Sequence, residues 1–518
     1  MIQKANNFAI ATATREATTA GATIANSGGN AVDVAIAAAF NLLVSDICMC
    51  SIGGGGYAII RTPDGKVELI DFFDCMPGKG LDIDYYRKKI RPVKINLDYG
   101  SGHTIIAGHS SVAVPGAVKG LEFIQNKYGT MPLKEVLKPA IDDAKNGTIM
   151  TRNLYDCFVI SAEKVHWRSE YSKSILSVNN TAVPPVGYRL KQTDLANTLE
   201  LIAQQGSDVI YNGVIANELV NVIQEGGGLL TLEDLNTYQP IVRKPLKCNF
   251  NGKKIWANPP PSVGGATLVE ILNILSHHKF SKKLTPYDIN IISKAQQQAF
   301  KDKFTKYIDI NTNEEVSKHL LSSEYALDFY KKIIPPPHTS HLSCIDDSGY
   351  AVGITMSMGY DSGVSIPGTG IFMANFLGEM DLNPKGFLQA TPGDRIISGM
   401  TPTIMFDEKN NDLFVLGSAG SSRIISSLMH IILNLTVFKM DLISAVHKPR
   451  FHYEGNEFYL EPDIEIDNSL IDKNTIINQY SRIEQFFGGA RCVRMKNNKL
   501  LEAVNDPRRS GSTQTLTR

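Results

Sequence analysis

Three consecutive prolines at positions 335–337 constrain the fold more than any other feature of this sequence. Proline fixes φ and has no backbone N–H to donate, so the helical pattern that precedes this run must end there. Two strand patterns follow, at 341–345 and 350–357, and residues 346–349 between them have the composition of a turn. Thr339 is therefore predicted to lie where a stiff linker enters a sheet.

The local pattern allows two interpretations of Thr339. Threonine is common at the start of a strand, and in that case the residue is purely structural. In the other interpretation the chain cuts itself between His338 and Thr339, and the new α-amine acts as general base for the threonine hydroxyl. The spacing alone does not choose between them.

Composition excludes several classes of protein. Hydrophobic residues make up 43% and charged residues 20% of the 518 positions, as in a soluble globular protein with a large core, and the length allows three or more domains. Lys plus Arg and Asp plus Glu both number 52, so no net charge attracts nucleic acid or an anionic membrane. The expected partner is a small molecule.

The cysteines and the apolar stretches predict where the protein resides. Seven scattered cysteines form no Cys-x-x-Cys pair and accompany no histidine cluster at zinc spacing, which favours reduced, mostly buried thiols. The first residues lack the apolar run of a signal peptide. The longest apolar stretch, 34–44, is shorter than the roughly 20 residues of a membrane span. We therefore expect a cytoplasmic protein without a membrane segment.

Two stretches of small residues indicate exposed backbone groups. Four glycines occupy 53–56, but a strand pattern follows and no Gly-Lys-Ser/Thr is present, so tight backbone packing near a site is favoured over a phosphate-binding loop. Residues 417–423 precede the helical pattern 424–435, where N–H groups at the positive end of the helix dipole could hold an oxyanion. A helix is predicted at 31–45 and a β-hairpin around Asn251-Gly252. The alternation of strand pairs and helix pairs predicts a layered α/β domain.

Eleven short motifs, taken together and in order, resemble the γ-glutamyltransferase family of N-terminal-nucleophile hydrolases. Each motif is weak alone, but their common order over more than 480 residues is highly specific. The motifs lie at 28–33, 53–56, 114–116, 128–129, 227–231, 260–265, 339–341, 400–403, 417–423, 449–450 and 506–509.

The resemblance implies an α/β (α+β) fold, a four-layer αββα sandwich. It also implies a single domain over 1–518, made as one precursor and self-cleaved into a large subunit, 1–338, and a small subunit, 339–518, that form a heterodimer. No metal or organic cofactor is implied, because the nucleophile brings its own base. The expected partners are a small amide substrate and an amine or water acceptor, with no nucleic acid and no membrane.

The same resemblance assigns the catalytic residues. Thr339 matches the nucleophile, the first residue of a Thr-Thr-His motif that reads Thr-Ser-His here. Ser357 stands where the family has a second threonine that hydrogen-bonds the nucleophile. Gly420 and Ser421 match the glycine pair whose N–H groups form the oxyanion hole, although the Cβ of Ser421 restricts the backbone.

The substrate-binding positions depart from the family pattern. Phe73 replaces the arginine that pairs with the α-carboxylate of a γ-glutamyl group, and phenylalanine cannot make that charge-assisted contact. Glu379 replaces the aspartate that binds the substrate α-amine, so a cation site is expected to persist there. Ser398 is kept. The remaining substituted positions are Gly359, Phe376 and Gly399.

Two arginines are candidates for a new anion partner, Arg395 and Arg423, although a structural salt bridge is the simpler interpretation for each. Three functions then stand side by side. The first is transfer or hydrolysis of γ-glutamyl compounds such as glutathione, against which Phe73 argues. The second is hydrolysis of another small acyl amide by the same chemistry. The third is an unprocessed binding protein of the same fold, against which the hydroxyls at 339 and 357 argue.

Overall fold

The protein is described here by a computed structural model that covers residues 7–97, 103–305 and 339–517. Two antiparallel sheets stack face to face, and each carries a layer of helices on its outer face. The predicted four-layer αββα sandwich is confirmed. The prolines at 335–337 and His338 lie outside the described residues.

The first sheet has seven strands, and every neighbouring pair is antiparallel. In spatial order its strands are Ser512–Leu516, Phe8–Thr12, Ser340–Asp346, Ala351–Ser357, Gly55–Arg61, Val67–Phe72 and Ile241–Arg243. The strand that begins after Thr339 therefore lies near the centre of the sheet, where it is covered on both faces.

The second sheet has six antiparallel strands. In spatial order they are Leu500–Asn505, Gly489–Lys496, Asp412–Ala419, Thr403–Asp407, Lys253–Ala257 and Leu246–Phe250. Strands from both sides of position 339 thus contribute to each sheet.

The helices form two outer layers. Those on the side of the first sheet are Arg15–Asn26, Ala31–Ser45, Ala117–Tyr128, Leu133–Asn146, Thr193–Gln205, Asp208–Tyr211 and Val214–Glu225. Those on the side of the second sheet are Val263–Leu275, Pro286–Thr305, Arg423–Thr436 and Leu442–His447.

Shorter elements connect these layers or lie along their edges. The helices among them are Ile83–Lys89, His109–Ser111, Arg152–Ser161, Ala162–His166, Glu170–Ile175, Leu232–Thr237, Phe376–Gly378, Asn468–Leu470 and Gln485–Phe487. The strands among them are Val93–Leu97, His103–Ala107, Thr148–Ile149, Arg189–Leu190, Ser365–Ile366, Ile371–Phe372, Phe451–Glu454, Glu457–Leu460 and Ile476–Gln479.

The helix Ala31–Ser45 shows how sequence sets a layer. Asn30 caps it by accepting hydrogen bonds from the N–H groups of Val32 and Asp33, and the Asp33 carboxylate accepts from the Asn30 N–H in return. All of its residues are buried, because it packs between the first sheet and the outer helices. Its small alanine side chains permit that close approach on every side.

Side-chain alternation in the strand Ser340–Asp346 decides which way Thr339 points. Leu342 and Cys344 belong to the core under the helices. Ser343, on the opposite face, donates a hydrogen bond to the Arg491 carbonyl oxygen of the second sheet at 2.9 Å. Since alternate residues of a strand share a face, Thr339 points toward the second sheet.

Three predicted secondary-structure elements are confirmed. The strand pair around the turn at 346–349, the helix Ala31–Ser45 and the hairpin at Asn251 all appear. All seven cysteines are unpaired and buried. No helix in the described ranges is both long enough and apolar enough to cross a membrane.

Candidate active site

Four predicted positions fall in one row across the first sheet. Ser340 pairs with Met356, Ser357 pairs with Gly55, and Gly56 pairs with Phe72. Continuing the register by one residue places Thr339 beside Ser357 and Phe73 beside Gly55. Side chains in one such row share a face of the sheet, so Thr339, Ser357 and Phe73 all project toward the second sheet.

The side chains of this row line a small cavity between the ends of the two sheets. Its volume is about 20 Å³, room for about one water molecule. The lining residues are Phe73, Thr339, Ser357, Phe376, Asp381, Leu382, Ser398, Gly399, Met400, Ser421 and Ile424. The structure therefore brings together five predicted site residues, while Glu379 and Gly420 do not line this cavity.

The two hydroxyl residues are held by the backbone around them. Thr339 and Ser357 are both buried, at 4% and 2% exposure. Ser357 ends its strand, and its Oγ accepts a hydrogen bond from the Gly359 N–H at 2.9 Å. That bond fixes the serine hydroxyl at the end of the strand next to Thr339.

His341 anchors the strand of Thr339 from within. Its Nδ1 lies 2.8 Å from Thr355 Oγ1, and its Nε2 lies 2.9 Å from Ser343 Oγ. Burial, with a smaller contribution from Arg491, lowers the pKa of His341 to about 3. The imidazole is therefore neutral at ordinary pH and links two strands without placing a charge in the core.

The predicted oxyanion hole lies where the second sheet meets a helix. Gly420 has φ +118° and Ser421 has φ +54°, between the strand Asp412–Ala419 and the helix Arg423–Thr436. A serine in the left-handed region is strained, and such strain is typical of functional turns. The turn also places backbone N–H groups at the positive end of the helix dipole.

Phe73 belongs to an aromatic cluster. Its ring is fully buried and lies 5.5 Å from the Tyr57 ring and 4.5 Å from the Phe376 ring, measured between centroids. The position that resembles the carboxylate-binding arginine of the family is therefore an apolar wall of the cavity.

Arg395 is committed to protein contacts. It donates to the Phe73 carbonyl oxygen at 2.7 Å and to Cys75 Sγ at 2.8 Å, and its guanidinium group lies 3.4 Å from the buried Asp71 carboxylate. It also stacks on the Tyr238 ring. These contacts fit the structural interpretation, since Arg395 holds the chain segment that carries Phe73.

Arg423 is likewise engaged. It donates to the Phe486 carbonyl oxygen and to Ser422 Oγ, both at 3.2 Å, and its guanidinium group lies 4.6 Å from the centre of the Phe486 ring. Neither arginine lines the cavity, so neither is placed to receive an anionic group there.

Two carboxylates of one loop, Glu379 and Asp381, differ from the sequence prediction. Glu379 is fully buried, and its Oε1 accepts a hydrogen bond from the Tyr360 N–H at 2.9 Å. Burial, reinforced by Asp381, raises the pKa of Glu379 well above its usual range. Asp381, which no sequence motif singled out, lines the cavity instead. The available signal was a second acidic residue two positions beyond Glu379.

Asp74 is a further buried carboxylate, and no sequence motif singled it out. Neither of its oxygens has a hydrogen-bond partner in the described part of the chain, and burial raises its pKa well above the usual range. An ideal Cβ on Gly55 would lie 2.3 Å from Asp74 Oδ2. Glycine at 55 is therefore required for Asp74 to occupy this place beside the row.

No metal site accompanies these carboxylates: within 7–97, 103–305 and 339–517, no group of three or more His, Cys, Asp or Glu side chains is arranged to hold an ion.

The fold and the position of Thr339 define a class. A four-layer αββα sandwich with a threonine at the start of a central buried strand is the architecture of an N-terminal-nucleophile hydrolase. The sequence profile described as Gamma-glutamyltranspeptidase matches residues 17–516, and the chain belongs to this family. It is accordingly an enzyme of the hydrolase and transferase type that this family comprises.

By their names, the relatives are of two kinds, glutathione hydrolases and acylases. The chain is 31% identical to a glutathione hydrolase proenzyme of Pseudomonas sp. (strain A14) over 498 residues, which cover 89% of this chain and 85% of the relative. It is 32% identical to an acylase ACY 1 proenzyme of Pseudomonas sp. (strain SE83) over 467 residues, 86% of this chain and 83% of the relative.

A solved structure supports the fold over the whole molecule. The crystal structure of cephalosporin acylase from Bacillus halodurans superimposes with a TM-score of 0.85 at 26% identity, and the match covers 98% of this chain and 96% of that one.

Proposed function

We propose that this protein is a self-processing amidohydrolase whose nucleophile is Thr339. The observation that carries the proposal is the cavity in which Thr339 meets Ser357 and the strained turn at Ser421. A buried hydroxyl beside backbone N–H groups at a helix start suits the attack on a carbonyl and the oxyanion that forms.

Processing and turnover would use the same hydroxyl. Thr339 Oγ attacks the carbonyl carbon of His338, the peptide C–N bond breaks as an ester forms, and water hydrolyses the ester. The freed α-amine of Thr339 then takes the hydroxyl proton as Oγ attacks the amide of a substrate. It returns that proton to the departing amine, and water or an amine acceptor resolves the acyl-enzyme.

The other catalytic residues have supporting roles in this proposal. Backbone N–H groups of Gly420 and Ser421 stabilise the oxyanion, and loss of one such donor typically lowers turnover about a hundred- to a thousandfold. The Ser357 hydroxyl, held by the Gly359 N–H, orients Thr339.

The cavity favours an acyl group other than γ-glutamyl. Among the described residues no Lys, Arg or His lines it, and Phe73, Phe376, Leu382, Met400 and Ile424 give it apolar walls. A substrate carboxylate placed there would lose its hydration without gaining an ionic partner. The second candidate, a γ-glutamyl compound such as glutathione, is favoured by the family and by the glutathione hydrolase relatives.

The proposal includes the subunit boundary. Cleavage would give a large subunit, 1–338, and a small subunit, 339–518. Strands from both sides of the bond lie side by side in each sheet, so the two pieces would stay together as a heterodimer. The names of the relatives as proenzymes support this step. A cytoplasmic location belongs to the proposal as well.

Intact mass spectrometry of the wild type beside Thr339→Ala and Thr339→Ser tests the nucleophile. We expect two wild-type fragments that meet between His338 and Thr339, a single chain for Thr339→Ala, and cleavage in Thr339→Ser, which keeps a hydroxyl. A Thr339→Ala protein that still splits at this bond contradicts the proposal. A wild-type chain that stays whole on long incubation contradicts self-processing at this bond and leaves Thr339 without the free α-amine that the proposal requires.

A panel of p-nitroanilides then tests the acyl group. We expect turnover of anilides with uncharged acyl groups and little turnover of γ-glutamyl-p-nitroanilide. The opposite preference would select the γ-glutamyl candidate. Thr339→Ala is the control for each compound, because hydrolysis that persists without the hydroxyl does not arise from this site.

A further inference from the structure

The Glu379 carboxyl group occupies the space in which a side chain at position 359 would lie. An ideal Cβ built on Gly359 would lie 2.0 Å from Glu379 Oε1 and 3.1 Å from its carboxyl carbon. Real Cβ atoms do not approach other atoms so closely, so residue 359 can have no side chain while Glu379 stays in place. Gly359 also has φ +63°, which L-residues seldom adopt.

The Glu379 carboxyl group is bonded to the turn that carries Ser357. Glu379 Oε1 accepts from the Tyr360 N–H at 2.9 Å, and Gly359, the residue before Tyr360, donates its own N–H to Ser357 Oγ at 2.9 Å. The turn at 357–360 is thus held at one end by its own serine and at the other by Glu379.

Hydrogen bonds from Asn383 in turn fix the segment that carries Glu379. The Asn383 side-chain amide donates to the carbonyl oxygens of Phe376 at 2.7 Å, Leu377 at 3.2 Å and Glu379 at 2.9 Å. These bonds close the segment 376–383 into a compact loop. The loop presents the Asp381 side chain to the cavity and leaves Glu379 outside the cavity lining.

We propose that Glu379 is a positioning residue: its carboxyl group holds the turn at 357–360, and with it the Ser357 hydroxyl, while Asp381 is the acidic residue that faces the substrate. This inference rests on the proposed function, which gives Ser357 its role. It replaces the expectation that Glu379 forms the substrate cation site.

The surroundings of Glu379 favour the neutral form. Its side chain is fully buried, Oε2 has no hydrogen-bond partner within the described residues, and the acidic neighbour Asp381 is close. The Tyr360 N–H is the one group that opposes these effects on the pKa, and it does not outweigh burial. A neutral amide of the same shape should therefore replace this carboxyl group.

The first test compares the thermal midpoints of a single and a double variant and needs no substrate. Gly359→Asn should lower the thermal midpoint, because its Cβ meets the Glu379 carboxylate. The double variant Gly359→Asn with Glu379→Ala should recover most of that loss, since the space is cleared and asparagine tolerates a left-handed φ. If the two substitutions lower the thermal midpoint additively in the double variant, residues 359 and 379 do not compete for one space and the inference is wrong.

The second test separates positioning from substrate binding. Glu379→Ala should lower kcat for an uncharged acyl p-nitroanilide by roughly a hundredfold with little change in KM, as expected when a catalytic group is misplaced. Glu379→Gln should restore most of that turnover, since an amide oxygen still accepts from the Tyr360 N–H.

Asp381→Asn is the matched control, since it neutralises the other acid of the same loop. We expect it to raise KM selectively for anilides whose acyl group carries an amine, and Glu379→Gln not to do so. If Glu379→Gln raises KM for those anilides, or is as damaging as Glu379→Ala, Glu379 acts as a charge and the inference is wrong.

Failure of the proposed function gives a different pattern. In that case the wild type neither cleaves at His338 nor turns over any anilide, whereas the midpoints of the Gly359 and Glu379 variants still report on the shared space.

Discussion

Phe73→Ala tests whether an apolar wall sets acyl specificity. The substitution removes a fully buried ring together with its contacts to the rings of Tyr57 and Phe376. Truncation of a buried phenylalanine to alanine costs about 3–5 kcal/mol of folding free energy. Unfolding entropy of about 2.1 cal/mol/K per residue gives about 1.1 kcal/mol/K for a chain of this length. The thermal midpoint should therefore fall by about 3–5 °C, measured by calorimetry at a fixed scan rate.

The same variant should change substrate choice. Removal of the ring enlarges a cavity that now has room for about one water molecule. Because one methylene group in a fitted pocket already changes selectivity about tenfold or more, the ratio of kcat/KM for phenylacetyl over acetyl p-nitroanilide should rise at least about tenfold.

Phe72→Ala is the matched control. Phe72 is equally buried and adjacent in sequence, but it faces the helix Ala117–Tyr128, where its ring would contact any Cβ placed on Gly120. It should lose a similar amount of stability without any change in the acyl ratio. The argument fails if Phe73→Ala leaves the ratio unchanged, or if Phe72→Ala changes it as much.

Two further predictions concern backbone strain and pH. Ser421→Gly should keep turnover and raise the thermal midpoint by about 1 °C, because it relieves a left-handed φ and retains the N–H; a marked loss of turnover would show that the side chain matters. The pKa of His341 is about 3 in the folded protein, below its unfolded value of about 6.5, so its contribution to stability is complete above pH 6.5 and declines as the pH falls toward 3. His341→Gln should give a shallower decline of the midpoint over that interval, and equal slopes would contradict the assignment.

Local signals were sufficient to predict the scaffold. The strand pair around 346–349 has alternating side chains and a turn of Asp, Ser and Gly, and the helix Ala31–Ser45 has a capping residue and a continuous apolar run. Each of these patterns involves residues that are close in sequence, so propensity and periodicity determine them. The order of the sheets required the family resemblance, because neighbouring strands such as Phe8–Thr12 and Ser340–Asp346 are far apart in the chain.

The substrate side of the site could not be predicted in the same way. The hydrogen bond from Arg395 to the Phe73 carbonyl oxygen joins residues 322 positions apart, and no local pattern distinguishes this arginine from a ligand of an anionic substrate. The direction of the Glu379 side chain depends on the missing Cβ of Gly359, which only the folded backbone reveals. Asp381 faces the cavity because the Asn383 amide closes its loop.

The contrast between these two halves of the site has a physical basis. The groups proposed for catalysis are the hydroxyls of Thr339 and Ser357 and the backbone N–H groups at 420 and 421, and all of them are placed by sheet register and by a turn. Substitution of a side chain such as residue 73 leaves register and turn unchanged, so the family arginine can give way to phenylalanine without displacing the nucleophile. Glu379 is the exception that we expect, because its side chain holds the turn that carries Ser357 and therefore affects catalysis. Exchange of Phe73 should therefore change which acyl group reacts, whereas exchange of Glu379 should change how fast every acyl group reacts.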